Sequence, residues 1–80
     1  MRKNTVEIAI LLDFFGKLLT DKQQHYMDLY YNEDFSLSEI SALEGVTPQA
    51  VRDALKRSEF TLLDIEEKTG LVARFRNHTD

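Results

Sequence analysis

Apolar side chains recur at helical spacing through most of the chain. Ile8, Leu11, Leu12 and Phe15 fall on one face of a segment from about Thr5 to Phe15, and Gly16 is expected to supply a left-handed stop. Ile10 and Phe14 form a second apolar face on the same helix, a pattern that suits a partner surface. The next helix begins at Thr20. Thr20 and Gln23 have the spacing of a capping box, and Asp21 suits the positive end of the helix dipole. Tyr26, Met27, Leu29, Tyr30 and Tyr31 carry its packing, and Asn32-Glu33-Asp34 ends it as a polar turn. A third helix starts at Ser36 with Glu39 three residues on; Ile40 and Leu43 are expected to face inward, and Gly45 ends it.

The fourth helix starts at Thr47, a good cap, with Pro48 at the first helical position, where its missing N–H costs nothing. No breaker follows until Gly70. Val51, Leu55, Ser58, Leu62 and Ile65 trace a heptad seam of two repeats, which serves packing within the domain or contact with a second copy. Leu71, Val72, Ala73 and Phe75 allow a short last helix with a frayed end. No segment alternates with period two, so no strands are expected. The pattern predicts an all-α, four- to five-helix bundle in one domain, 1–80. Its parts are a first helix and link (1–19), a second helix (20–33), a central pair of helices (36–57), an extension of the long helix (58–70) and a tail (71–80).

Residues 36–57 carry the strongest motif. A short capped helix, a glycine turn and a second capped helix make a helix-turn-helix. Small Ser41 lets the helices cross closely, Gly45 takes positive φ, Val46 plugs the angle between the helices, and Val51 points back at the first of them. Gln49, Arg52, Asp53, Lys56 and Arg57 then face outward. Arg52 suits a guanine edge and Gln49 an adenine, while Lys56 and Arg57 are better placed for phosphates. The N–H groups at Thr47 and near Ser36 add candidate phosphate contacts.

Charge sharpens this picture. The 80 residues carry a formal net charge of −4, which argues against indiscriminate polyanion binding. Yet residues 47–57 hold three basic groups against one acid, net +2, between two acidic segments. Apolar residues make up 42 % and charged residues 30 %, too apolar a balance for a disordered chain. The absence of cysteine excludes a disulfide scaffold, a thiolate metal site and a cysteine nucleophile, and fits a reducing cytoplasm. The longest apolar run, Ile8–Leu12, is too short to cross a bilayer, and no secretion signal is expected.

Catalytic and cofactor chemistry find little support. His25 lies one turn after Asp21, within ion-pair reach, and His78 lies in the tail; without cysteine the two do not make a zinc pattern. Glu33-Asp34 with Asp28 lacks calcium-loop spacing, and there is no glycine-rich phosphate loop. Tyr26, Tyr30 and Tyr31 could stack bases, but their helical spacing favours a core role. No enzyme activity, metal or cofactor is expected.

Several stretches together resemble the YlxM family of small bacterial proteins associated with the signal recognition particle. They are Leu18-Leu19-Thr20-Asp21-Lys22-Gln23, Leu29-Tyr30-Tyr31, Asp34 to Ile40, Gly45 to Val51, Leu55-Lys56-Arg57 and Glu67-Lys68, across residues 7–72. The resemblance implies a cytoplasmic all-α protein whose fold is similar to DNA-binding region four of sigma factors, with a regulatory role in the particle's pathway. Two readings follow. In the first, the protein binds DNA or the particle's RNA through Ser36, Thr47, Gln49, Arg52, Lys56 and Arg57. In the second, it docks on the particle's GTPase without touching nucleic acid. A homodimer through Ile10, Phe14, Leu62 and Ile65 is a separate expectation.

Overall fold

A computed structural model describes residues 5–78, with side chains through 76. The helices are α1 (Thr5–Phe15), α2 (Asp21–Met27), α3 (Leu37–Glu44), α4 (Pro48–Thr69) and α5 (Leu71–His78), and no strand occurs among the described residues. A 3₁₀ turn, Gly16–Leu18, follows α1, and a π-helical turn, Asp28–Asn32, continues α2.

Helices α2, α3 and α4 each begin where a side chain takes up a backbone N–H group that has no partner inside the helix. Thr20 and Gln23 form a complete capping box on α2, as do Ser36 and Glu39 on α3. Thr47 accepts from the N–H of Ala50 at 3.1 Å and caps α4, with Pro48 at its first position. The long helix has 22 residues, about 33 Å at 1.5 Å per residue. It is the spine of the molecule: the main contacts of α1, α2 and α3 all run to it.

The core collects Ile8, Leu11, Leu12 and Phe15 of α1, Leu19, Tyr26, Met27 and Leu29 around α2, Ile40 of α3, and Val51, Leu55 and Leu62 of α4. Ser58 sits in the α4 seam at 0 % exposure because its hydroxyl donates to the Ala54 carbonyl at 2.8 Å.

The structure corrects four expectations. Gly16 does not stop α1 in a left-handed conformation; among the described residues positive φ falls on Asp34, Gly45 and Gly70. Gly16 is small for another reason: an added Cβ would lie 3.2 Å from Leu12 Cδ1. Leu43 does not face inward but is 59 % exposed. The inner face of α3 runs through Leu37, Ile40, Ser41 and Glu44, and Leu43 lies about a third of a turn away from it.

Leu62 offers nothing to a second copy, because it is wholly buried in the monomer core, and Ile65 packs partly buried against the same cluster. Ile10 is likewise partly buried against the core. Phe14 meets Phe75 of α5 edge to face, with ring centroids 5.5 Å apart, so α5 covers part of the second apolar face of α1. Finally, His25 pairs with Glu44 of α3 at 2.9 Å rather than with Asp21. The side chain of His78 lies outside the described residues.

Candidate nucleic-acid interface

The bend between α3 and α4 is held at Ser41. Its carbonyl accepts the N–H of Gly45 at 2.9 Å and that of Val46 at 3.2 Å, while its hydroxyl donates to the Val46 carbonyl. Ser41 is therefore a brace of the turn and more than a small residue at a crossing. Gly45 sits at φ 71° and ψ 32°, a conformation that costs a side-chain-bearing residue about 1–2 kcal/mol. Val46 is half-buried against the core and Val51 fully buried, so the start of α4 is fixed in both direction and rotation.

That rotation decides what faces outward. Gln49, Arg52, Asp53, Lys56 and Arg57 are all exposed, opposite the seam of Val51, Leu55 and Ser58. No ion pair among the described residues engages Arg52, Lys56 or Arg57. Asp53, the acid among them, accepts a hydrogen bond from Gln49 Nε2 at 3.0 Å. That bond uses one of the two Nε2 hydrogens of Gln49.

The cations flank the helix on two sides. Arg52 and Lys56 border an open cleft of about 450 Å³, with Tyr30, Tyr31 and Leu37 across from them. Arg57 borders a smaller one, of about 260 Å³, with Lys22, Gln23 and Tyr26 of α2. Lys22, whose ammonium lies 5.9 Å from the centre of the Tyr26 ring, is a fourth cation of this face. Along the chain it lies in the acidic stretch ahead of residue 47. Only the packing of α2 on α4 brings it beside Arg57, and no local signal announces that.

The two predicted helix-terminus contacts differ. Ser36 accepts from the N–H of Glu39 at 3.1 Å, and its own N–H donates to Glu39 Oε1 at 2.7 Å. A carboxylate thus occupies the N-terminus of α3, and Ser36 is the cap that its spacing to Glu39 predicts. Thr47 also spends its hydroxyl on capping, but the first turn of α4 carries no acidic residue, so the positive end of its dipole stays open to an anion.

Among the described residues no group of three or more His, Asp or Glu converges as a metal site, and no helix is long and apolar enough to cross a membrane.

Comparison with known proteins agrees with this geometry. Residues 2–80 match the model of a family, UPF0122, described as "Putative helix-turn-helix protein, YlxM / p13 like". The chain is 54 % identical over 69 residues to a UPF0122 protein of Desulforamulus reducens, covering 86 % of this chain and 59 % of that relative. It is 45 % identical over 80 residues to a UPF0122 protein of Halalkalibacterium halodurans, covering all of this chain and 73 % of the relative. Over 75 residues it is 49 % identical to a UPF0122 protein of Oceanobacillus iheyensis, covering 94 % and 71 %. The chain thus spans between about three fifths and three quarters of the length of these relatives. It belongs to the UPF0122, YlxM-like family of helix-turn-helix proteins.

Proposed function

We propose that the protein binds nucleic acid through the outward face of the first half of α4, as a regulatory helix-turn-helix module without catalytic activity. One observation carries the reading: Arg52, Lys56 and Arg57 are exposed and engaged in no ion pair among the described residues, on a capped helix whose rotation the core fixes. In a chain of net charge −4, uncommitted cations on one helix face mark a place for an anionic polymer. Lys56 and Arg57 serve as phosphate contacts, Arg52 as a phosphate or guanine contact, and the open N-terminus at Thr47 as a further phosphate donor site. The resemblance to the YlxM family adds the signal recognition particle's RNA to duplex DNA as the ligand to try. The test is affinity against salt with both. Three phosphate contacts predict a fall of about 2.7 decades in affinity per decade of salt on duplex DNA. No binding of either ligand at low salt overturns the reading.

A second reading is docking on a protein, for which the signal recognition particle's GTPase is the partner that the resemblance suggests. Phe60, 70 % exposed, and Leu63, 40 % exposed, favour it, because they form an apolar step on α4 just past the cations. Charge substitutions discriminate the two: loss of partner binding on changing acidic residues, with basic ones silent, supports docking on a basic protein surface.

A further inference from the structure

The π-helical turn is the segment that sequence reading had no reason to expect. Glu33 N–H donates to the Asp28 carbonyl, five residues back, at 2.9 Å. Such turns are rare and often lie at functional sites. Within this turn Tyr30 and Tyr31 lie edge to face, with ring centroids 5.0 Å apart and planes at 81°. Both rings are half-buried, and both line the cleft that Arg52 and Lys56 border from α4.

The cleft has the size and the chemistry of a ligand site. Its volume of about 450 Å³ falls within the range of small-molecule pockets, about 300–1,000 Å³. The side away from α4 is aromatic and aliphatic, from the two tyrosines and Leu37, and the α4 rim is cationic. Glu59 stands at the same rim, held in place by the Tyr31 hydroxyl, which donates to it at 2.6 Å. Its carboxylate is an acceptor for an amino group. A flat ring for the tyrosines, an anion for the two cations and an amino group for Glu59 fit a nucleotide whose base carries an amino group.

We infer that this cleft receives an unpaired nucleotide with an amino-bearing base, the base against Tyr30 and Tyr31 and the phosphate at Arg52 and Lys56. The inference rests on the nucleic-acid reading above and narrows it. A strand lying along α4 brings its phosphates to the cleft's rim, and a nucleotide turned out of the duplex enters beside them. The same chemistry is offered by a free nucleotide of this kind, adenosine monophosphate among them.

The test uses the full chain at low salt with two hairpins, prepared as DNA and as RNA. One has a fully paired stem; the other has a single unpaired adenosine in the same stem. A third arm titrates adenosine monophosphate while tyrosine fluorescence is followed, which the absence of tryptophan makes clean. Stacking of one base predicts that the interrupted hairpin binds at least about fivefold tighter. Tyr30→Leu removes that preference and leaves the paired stem's affinity unchanged, while Tyr30→Phe, which keeps the ring, retains it. Should Tyr30→Leu fail to fold, the two hairpins on the unaltered protein still decide. A fluorescence response to adenosine monophosphate without a hairpin preference supports the same site with the free nucleotide as its source. Equal affinity for both hairpins and no response to the nucleotide overturn the site while leaving binding by α4 intact. No binding in any arm removes both.

Discussion

The two halves of α4 carry nearly equal numbers of charged residues and use them in opposite ways. From Glu59 onward most of the charges have partners within the fold. Glu59 accepts from Tyr31 at 2.6 Å, and Lys68 meets Asp64 at 3.0 Å. Glu66 takes the N–H groups of Val72 and Ala73, each at 3.0 Å, on its two carboxylate oxygens. Before Ser58 the arrangement reverses: Asp53 is satisfied by Gln49, and Arg52, Lys56 and Arg57 have no ion pair among the described residues. Net charge therefore says little about what this protein binds. What matters is which charges the fold has already used.

That contrast is testable first where it is strongest. Replacing Arg52, Lys56 and Arg57 together by Gln removes up to three phosphate contacts. Affinity for duplex DNA in 0.1 M salt should then fall by up to about 500-fold, with the salt dependence flattened. Because all three are exposed and carry no ion pair, thermal stability should stay within about 0.5 kcal/mol of the unaltered protein. A large loss of stability would show that these cations do structural work after all.

The opposite outcome is expected in the second half. Leu62→Ala opens the core at a wholly buried position and should cost about 2–5 kcal/mol in denaturant unfolding. That is a large share of the about 5–15 kcal/mol that holds a typical domain. At temperatures where the variant is folded, its nucleic-acid affinity should match the unaltered protein's. Glu66→Ala is a milder case. It uncovers two backbone donors at the start of α5, a loss comparable to that of a helix cap, about 1 kcal/mol. Faster amide exchange at Val72 and Ala73, with Val51 and Leu55 unchanged, is the signature.

These examples also mark what was legible in the sequence. The starts of α2, α3 and α4 were, because Thr20 with Gln23, Ser36 with Glu39, and Thr47 with Pro48 act within one turn of chain. Gly45 was legible for the same reason. Gly16 was not, because a glycine serves either an unusual φ or a close approach, and only the position of Leu12 tells which. Leu43 misled because a helix of two turns contains too few apolar positions to fix its rotation. The seam through Val51, Leu55, Ser58 and Leu62 was plain, but periodicity does not say whether the partner lies inside the chain, and Leu62 turned out to be wholly buried in the chain's own core. Lys22 beside Arg57, Glu66 on α5 and the cleft at Tyr30 depend on tertiary contacts or on a π turn, and none has a local signature.

The finest probe of the contrast is Asp53, the single acid on the outward face of the first half. Asn at this position keeps an oxygen for Gln49 Nε2, so Asp53→Asn alters charge with little change of shape. If α4 lies against phosphates, removing one negative charge a few ångströms from them should raise affinity about fivefold, which corresponds to about 1 kcal/mol between single charges at water-like screening. The gain should shrink as salt rises, since the Debye length falls to about 3 Å at 1 M. Unchanged affinity would place the centre of this face away from the backbone of the ligand. A loss would mean something else: the carboxylate itself makes a contact, as acceptor for a cytosine amino group in a groove. A groove-reading Asp53 would then explain why an acid stands among three uncommitted cations.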